Sequence, residues 1–458
     1  MIAYHTLFPP IIGMADSGDF GRFFPQTGLD HVSTEYQDRY FFYFNSKYRI
    51  VERVGLFGWY KSSTQGLILP ARWLAMLTGA REFFDIRFLA ALYAVIFLIG
   101  FWLILVAARP LNPALRVILA GLVILIFTDA GYVAFFNSLY SGATGFTFLA
   151  VGIGLSLLLL ARRSANALLL AGVFVTFAVI ITAKPQWVPL APVLAAFLIY
   201  LSRFVRMRGR DWLAGGLALV LCATAALYYA RVPQQLREEL VYIGIFVDLL
   251  PNSPSPQDDL MALGLDPAFA DFAGTTPYQL DSPFYDTEIR SLIASRVNSH
   301  SLAMFYLARP DRLYGLCARC VKHLFITRVK RLGYYEASTG KPPQTQAFGL
   351  WSVIRENVFP RSLVFLALYF ATGIAALYWS RKASLPVLRS LNALYVLFVA
   401  IACVTFFASI LGGGGEADLA KHLFMFNISF DASLILSVLG ALHWAGRCFS
   451  GAAQPSVA

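Results

Sequence analysis

Long apolar runs constrain this 458-residue chain more than any other feature of its sequence. Nine such runs are long enough, or nearly so, to cross the roughly 30 Å hydrocarbon core of a bilayer as helices. They cover approximately residues 86–107, 117–136, 145–161, 167–183, 188–202, 212–230, 361–380, 390–411 and 421–445. Only 14% of the residues are charged, against about 25% in soluble domains, which excludes a soluble protein. The sequence predicts an all-α, polytopic transmembrane helical bundle with about nine complete spans plus a truncated first span.

The basic residues of the short connectors predict the orientation of this bundle. One alternate set of connectors, together with the C-terminal tail, holds many Lys and Arg residues, whereas the other set contains only Lys184 and Lys421. Because cytoplasmic loops are enriched in Lys and Arg, we place the first set in the cytoplasm. The two long hydrophilic segments, 15–85 and 231–360, then lie on the outer side. The same enrichment explains the net charge of +11, so no nucleic-acid partner is predicted.

The predicted spans divide the chain into six parts. Residues 1–14 are too short to cross a bilayer, and we interpret them as the outer end of a first span whose beginning this sequence lacks. The other parts are a first outer loop (15–85), a six-span bundle (86–230), an outer, mainly helical domain (231–360), a three-span bundle (361–446) and a cytoplasmic tail (447–458). Within the outer domain, helices are predicted at 234–249 and at 285–329, the second interrupted by Pro310.

The stretch "AFGLWSVIRENVFP" predicts an amphipathic helix at the membrane surface, just before the run 361–380. Its apolar side chains recur every three or four residues, and Arg355 and Glu356 lie off that stripe. The stripe consists of Phe348, Trp351, Ile354 and Val358.

The motif "CARC" raises the question of a zinc site. Cys317 and Cys320 have the spacing of zinc ligands, and His323 follows closely. No second pair of ligands elsewhere completes a tetrahedral set, so we interpret these residues as ordinary cysteines on a helix face.

The motif "DSGDFGR", residues 16–22, places two carboxylates and a guanidinium in a chain that is otherwise poor in charge. A carboxylate partly removed from water has a raised pKa and becomes a competent base near neutral pH. Asp16 and Asp19 are therefore candidate catalytic residues, and Arg22 is a candidate substrate ligand. Two neighbouring carboxylates also make a divalent cation possible, although the metal is unknown. The alternative is a turn or helix cap with a surface ion pair.

Two further outer connectors carry polar residues beside apolar spans. Polar residues there have an unfavourable free energy of burial and are often functional. In "FFNSLYS", Asn137 and Tyr140 offer hydrogen bonds and an aromatic surface to a sugar; the alternative is interfacial anchoring and helix capping. In "TAKPQW", Lys184 is suited to a phosphate oxyanion, and we include Gln186 in the same substrate-binding set. The alternative is a snorkelling lysine beside a proline turn.

The last outer connector, "GGGGEADLAKH", enters the final span with four polar residues. Lys421 and His422 are candidate phosphate ligands. Glu416 and Asp418 suit the positive end of the helix dipole and belong to the same candidate site. The alternative is an ordinary helix cap. Because the outer ends of several spans converge in a bundle, we expect the four motifs to share one cavity at the membrane surface.

These motifs together resemble those of the GT-C superfamily of multi-spanning glycosyltransferases, closest to bacterial members that elaborate surface glycans. The matching features are the acidic "DSGD" of the first outer loop, the polar "FFNSLYS" and the "EADLAKH" that enters the last span. The segment "LGYYEASTGKPP" also looks like the end of the outer domain of that superfamily. Relatives often carry an acidic residue after the tyrosine of the second outer loop, where this chain reads "SLYSGATG".

The resemblance implies an inverting transfer of a sugar from a polyprenyl-phosphate donor to a glycan or lipid-linked acceptor, on the outer side of a bacterial inner membrane. Asp16 or Asp19 would be the base, and Lys184 with Lys421 or His422 would bind the phosphate. Membrane lipids are the other expected partner. Three alternatives stay open: a transporter or flippase of a lipid-linked intermediate, a glycan polymerase or ligase, and an assembly scaffold without activity.

Overall fold

The protein is mostly helical in a computed structural model, which describes residues 1–53, 60–161, 166–380, 386–412 and 418–451. Its longest helices are Gln65–Leu77, Arg87–Ala107, Pro113–Phe127, Ser141–Ala161, Ala167–Ala183, Ala191–Ser202, Arg210–Ala230, Leu363–Ser380, Pro386–Leu411 and Phe424–Gly451. Each of the nine predicted runs overlaps one of these helices, although the run 117–136 extends beyond the helix that ends at Phe127. The predicted class, a polytopic bundle of membrane-spanning helices, is confirmed.

The number of full-length spans is lower than the nine predicted. Among the described residues, six helices are long and apolar enough to cross a membrane, or up to eight spans exist if each of two bent helix pairs counts as one. The pairs are Pro113–Phe127 with Ala130–Asn137, bent by 61°, and Leu350–Val358 with Leu363–Tyr378, bent by 106°. The helix Ala167–Ala183 has only 17 residues, which is at the short end for a span.

The first bend occurs at Asp129, whose carboxylate caps the turn that follows. Asp129 Oδ1 accepts a hydrogen bond from the backbone N of Gly131 at 2.8 Å, and Oδ2 accepts one from the backbone N of Ser352 at 3.0 Å. An N-cap residue leaves the helical φ and ψ region, so the preceding helix ends there and a new one begins. The predicted run 117–136 is therefore two helices.

Five short strands lie at one end of the bundle, where the two long hydrophilic segments also meet through backbone hydrogen bonds from Ala15 N to Arg331 O and from Phe44 N to Tyr335 O. Two of them, β1 (Gly13–Met14) and β5 (Leu332–Tyr334), pair antiparallel; the others, β2 (Leu29–His31), β3 (Lys47–Ile50) and β4 (Phe83–Asp85), form an antiparallel sheet in that order. Residues 1–14 thus contribute a short helix, Ile2–Thr6, and one edge of a strand pair. The two segments share an end, as predicted. That this end is the outer side stays a prediction.

The segment 231–360 has a helical core of its own, as its length predicts. Its α-helices are Gln234–Tyr242, Pro256–Ala262, Thr287–Arg296, Ser299–Ala308, Pro310–Cys320 and Leu350–Val358. Buried Phe246, Phe284 and Phe305 belong to one apolar cluster that continues onto Phe406 of a membrane helix. One helix ends at Ala308 and the next begins at Pro310, so the predicted interruption is confirmed; proline fits the first turn of the new helix.

The helix Leu350–Val358 is amphipathic, but its buried face is not the predicted stripe. Trp351 and Arg355 are both buried, whereas Val358 is exposed. Arg355 lies inside because its Nε is 2.8 Å from Oδ1 of Asp431, on the last span. Arg355 lies off the apolar stripe, as predicted, but its burial and its ion pair with Asp431 were not predicted.

Candidate active site

The two aspartates of "DSGDFGR" have different environments. Asp16 is buried, and its Oδ1 accepts hydrogen bonds from the backbone N of Gly18 at 2.8 Å and of Phe20 at 3.1 Å. Its Oδ2 lies 3.2 Å from Nε2 of His31. The turn needs Gly18, whose φ is +96°. Asp16 therefore holds the shape of the loop and does not reach the cavity described below.

Asp19 emerges from that turn at the start of the short helix Phe20–Arg22. Its Oδ1 is 2.9 Å from a guanidinium nitrogen of Arg22, and its Oδ2 is 2.9 Å from Nζ of Lys421. The hydroxyl of Tyr140 also donates a hydrogen bond to Oδ2. One partly exposed carboxylate thus joins three of the four predicted motifs, which are separated by more than a hundred residues along the chain.

Lys421 is the centre of this arrangement. It lies on the one-turn helix Leu419–His422, immediately before the last span, and its Nζ is 3.0 Å from Oδ2 of Asp418. The same ammonium donates a hydrogen bond to the hydroxyl of Tyr140 and lies 4.7 Å from the centre of that ring. A buried ammonium between two carboxylates and a phenol is thus held in place directly behind Asp19 and Asp418, which line the cavity described below.

The fourth motif joins the cluster through Lys184. Pro185 disfavours the helical conformation at the preceding residue, so the helix before it ends and Lys184 is extended. Lys184 Nζ is 3.3 Å from Nδ1 of His422, which is also 3.0 Å from Oε1 of Gln186. Gln186 in turn donates a hydrogen bond to Ser409 Oγ at 2.6 Å. This hydrogen-bonded set fixes the histidine ring beside the lysine.

The charges of the cluster change the pKa of Asp19 in the direction opposite to the prediction. Burial by itself would raise the pKa of this carboxyl, but the charges of Lys421 and Arg22 outweigh burial and hold the pKa below its usual value. The pKa of Lys421 is raised, because the attraction of Asp19 and Asp418 outweighs the effect of burial. In this arrangement Asp19 is ionised and tightly paired.

Lys184 and His422 respond differently, because their neighbours are cations. Burial first, and the charge of Lys421 second, lower the pKa of Lys184 to about 7. Burial and the charges of Lys184 and Lys421 hold the pKa of His422 well below its usual value. Lys184 therefore titrates near neutral pH, while His422 is neutral there.

The cluster opens into a cavity of about 640 Å³ between the segments 15–85 and 231–360. Asp19, Arg22 and Asp418 line it, and Lys421 lies behind the two carboxylates, within 3.0 Å of each. Aliphatic side chains form part of the remaining wall, and aromatic and polar side chains from both segments also line it: Tyr36, Tyr40, Phe41, Asp248, Asn252, Tyr278, Arg319 and Arg331. The volume is within the range of about 300–1,000 Å³ that is typical of small-molecule sites.

Three predicted site residues do not belong to this cluster as described. Asp16 supports the loop. Asn137 is buried elsewhere and donates hydrogen bonds to the backbone O of Thr6 at 3.0 Å and of Ile12 at 2.8 Å, which tie down the N-terminal segment. Glu416 lies outside the described residues. The remaining predicted residues come together: Asp19, Arg22, Tyr140, Lys184, Gln186, Asp418, Lys421 and His422.

Sequence reasoning missed several residues of the site. Ser409 ends a membrane helix, and a hydroxyl near the end of a span was a usable but weak indication. Tyr36, Tyr278 and Arg331 line the cavity from loops far apart in the chain. No spacing in the sequence relates these three positions to "DSGDFGR".

The acidic groups of the cluster are paired with cations. Asp19 contacts Arg22 and Lys421, and Asp418 contacts Lys421. Within the described residues, no three or more His, Cys, Asp or Glu side chains are grouped as metal ligands would be. Cys317 and Cys320 are buried on the helix Pro310–Cys320. The divalent cation stays a prediction.

One comparison with known proteins gives a match. The family model described as the YfdI N-terminal transmembrane domain matches residues 1–456, which is nearly the whole chain. No curated protein and no solved structure matches it.

Proposed function

The chain belongs to the YfdI N-terminal transmembrane domain family, and for a membrane domain with this polar end we propose the function of a GT-C-type glycosyltransferase. It transfers a sugar from a polyprenyl-phosphate donor to a glycan or lipid-linked acceptor. A single observation carries the proposal: one ionised carboxylate, Asp19, and three cationic groups, Arg22, Lys184 and Lys421, meet at one end of the bundle beside a cavity. In the proposal the carboxylate is the base that accepts a proton, and the cations bind the phosphate of the donor.

An apolar groove supports the lipid part of the donor. The groove has a volume of about 260 Å³ and is lined by side chains of several membrane helices, among them Phe127, Phe146 and Ile428. The ring of Phe146 packs against that of Phe424 at 6.3 Å, and Phe424 follows His422 by two residues. A polyprenyl tail in the groove would therefore end near the cations.

The proposed reaction needs one base and no general acid. The acceptor hydroxyl gives its proton to Asp19 as its oxygen attacks the anomeric carbon from the face opposite the phosphate. The bond between the anomeric carbon and the phosphate oxygen breaks, and polyprenyl phosphate leaves with one additional negative charge. Fixed cations near that oxygen stabilise the charge that develops in the transition state. Inversion at the anomeric carbon follows from attack on the opposite face.

Binding of the donor would also raise the pKa of Asp19, which is paired with two cations, and so allow it to accept a proton. Asp19 is paired with Arg22, which lines the cavity, and with Lys421, which lies behind Asp19. A phosphate that draws these cations toward itself weakens their hold on Asp19, and the pKa of that carboxyl then rises because burial opposes its charge. The base is thus activated only when the donor is bound.

The direct test uses purified protein in liposomes with a radiolabelled polyprenyl-phosphate hexose and a membrane extract as the source of acceptor. We expect transfer of label to a glycan and a matching release of polyprenyl phosphate, and no transfer from a nucleotide sugar. If the label only changes leaflets, as judged by its access to an impermeant reagent, the protein is a flippase. In that case the transferase proposal is wrong.

The charges of the described membrane helices favour the transferase over the flippase. A translocation path needs polar groups along its length. The groove beside the cluster is apolar except for Ser390, and the buried charge of Asp431 on the last span is paired with Arg355. The polar groups that suit a substrate lie at one end instead.

Lys184 predicts a pH dependence of donor binding. The phosphate requires the protonated ammonium, and the pKa of Lys184 is lowered to about 7, so the competent fraction of the free enzyme falls as the pH rises through that value. We expect the KM for the donor to rise about tenfold between about pH 6 and pH 8. The measurement is the donor KM across that range, at saturating acceptor.

The matched variant is Lys184→Arg, because a guanidinium stays charged throughout this range. Its donor KM should be independent of pH. The pKa values of Lys421 and His422 are shifted away from neutral pH, so neither group reproduces the effect. An equally steep dependence in the variant would assign the titration to another group and contradict the role of Lys184.

A further inference from the structure

Two exposed tyrosines face the same cavity from different segments. Tyr36 is 61% exposed and Tyr278 is 67% exposed, and both line the cavity that contains Asp19. Tyr36 packs in a tilted arrangement against Tyr40 and Phe41, at 5.2 and 5.9 Å between ring centres. Large exposed rings cost free energy unless a ligand or partner covers them. Their position on a cavity wall points to a ligand.

The backbone beside these rings is strained. Phe41 and Arg331 have φ values of +69° and +73°, which residues other than glycine rarely adopt. Both residues are held by the backbone of Ala15 and Asp16: Phe41 N donates a hydrogen bond to Asp16 O at 2.9 Å, and Ala15 N donates one to Arg331 O at 3.0 Å. Strain of this kind persists where the surroundings enforce it, and it concentrates at functional sites.

Phe41, one of the two residues with positive φ, also orders the side chain of the other, Arg331, at the cavity wall. The guanidinium of Arg331 lies 4.4 Å from the centre of the Phe41 ring, a cation–π contact that orders the side chain. A planar group with five N–H donors is thereby presented beside Tyr36. Aromatic faces next to ordered donors suit the apolar faces and hydroxyl oxygens of a sugar ring.

The charge of the cavity wall indicates which kind of sugar. Among the described residues of the wall, the arginines (Arg22, Arg319 and Arg331) are equal in number to the aspartates (Asp19, Asp248 and Asp418). The wall is therefore electrically balanced above the cation cluster, and it adds neutral donors and acceptors such as Asn252 and Thr276. A neutral, hydroxyl-rich ligand fits this surface better than an anionic one.

We propose that the cavity mouth formed by Tyr36, Phe41, Arg331 and Tyr278 binds the acceptor, and that the acceptor is a neutral oligosaccharide. This inference rests on the proposed function. It extends that function because it identifies the acceptor as a glycan and not as a simple lipid. A sugar ring of the acceptor stacks on Tyr36 or Tyr278, and Arg331 donates hydrogen bonds to its hydroxyl groups. The next hydroxyl along the chain then reaches Asp19.

The test is binding of defined probes, namely neutral di- to tetrasaccharides of glucose, galactose and rhamnose, measured by saturation-transfer NMR with the protein in detergent micelles. For the probe that binds best, we expect Kd to rise about tenfold in Tyr36→Ala and in Tyr278→Ala, as loss of one stacking ring predicts. The Tyr→Phe variants at both positions should bind almost as well as the original protein, which separates stacking from misfolding.

Tyr314→Ala is the matched control, because Tyr314 is 66% exposed and is not part of the cavity wall. It should bind the probe unchanged. If both alanine variants bind as tightly as the original protein, or if none of the probes binds at all, the inference is wrong. Failure of the proposed function has a different signature: no sugar is transferred by the original protein, whatever the tyrosine variants bind.

Discussion

Asp19→Asn is expected to lower kcat of sugar transfer by about 10²–10⁴-fold, the range for loss of a positioned general base. The amide keeps the size of the side chain but cannot accept the proton of the acceptor hydroxyl. The fold should survive, because Lys421 keeps its contacts with Asp418 and Tyr140. The measurement is single-turnover transfer at saturating donor, with the amount of folded protein determined by size-exclusion chromatography.

Asp16→Asn is the isosteric control for this prediction. An asparagine oxygen can accept the same two backbone hydrogen bonds that Asp16 Oδ1 accepts from Gly18 and Phe20. We therefore expect kcat to stay within about threefold of the original value, which is less than 1 kcal/mol of barrier. Loss of transfer in Asp16→Asn with normal transfer in Asp19→Asn would exchange the two roles and contradict the assignment.

A second readout separates a base from a merely structural aspartate. If Asp19 only positioned Lys421, its loss would raise the donor KM and leave the chemical step intact. If it is the base, kcat falls and the donor KM changes little, since the removal of a negative charge leaves Lys421 and Arg22 free for the phosphate. The two kinetic constants together decide the role.

The sequence predicts much of this site because charge is costly beside a bilayer. Lys184 and Lys421 stand out as the only cations in the short connectors of one side, and both lie in the cluster. The polar ends of spans that are antiparallel neighbours must meet at one end of a bundle, so separate motifs converge there. The sequence also predicts the helix positions, because segments that cross a bilayer must be apolar.

Other features depend on contacts that no local pattern encodes. Asp16 and Asp19 are alike in the sequence, and only the turn closed by Gly18 directs one inward and the other to the cavity. The sequence predicted a raised pKa for the base because burial alone was considered. The charges of Lys421 and Arg22, which lower the pKa of Asp19, were not foreseen. Arg331 lines the cavity and has a φ of +73°, and no motif in the sequence predicts this backbone conformation.

Arg355 is the clearest case of a residue whose role required the structure. On an amphipathic pattern it belongs to the polar face, yet it is fully buried. Its Nε lies 2.8 Å from Asp431, and the rings of Phe325 and Phe430 lie 5.3 and 5.4 Å from the guanidinium carbon. Asp431 also accepts a hydrogen bond from Nε1 of Trp351 at 2.8 Å. The ion pair therefore fastens the helix Leu350–Val358 to the last span.

Arg355→Met is consequently expected to reduce the free energy of unfolding by about 3–5 kcal/mol, because it leaves the carboxylate of Asp431 buried without its counter-charge. The measurement is thermal or denaturant unfolding in detergent micelles. Arg87→Met is the matched control: it breaks an ion pair of 2.6 Å with Asp85, but the side chain of Arg87 is 41% exposed and not buried, so the loss should be at most about 1 kcal/mol.

The double variant Arg355→Met with Asp431→Asn distinguishes a lost attraction from an uncompensated charge. The neutral amide still accepts the hydrogen bonds of Trp351 and of Tyr132, and it no longer needs a cation. If the cost of Arg355→Met is mainly the burial of an unpaired charge, the double variant recovers most of the lost stability. If it is as unstable as the single variant, the stability of this helix comes from the packing of the guanidinium against Phe325 and Phe430, and the electrostatic explanation fails.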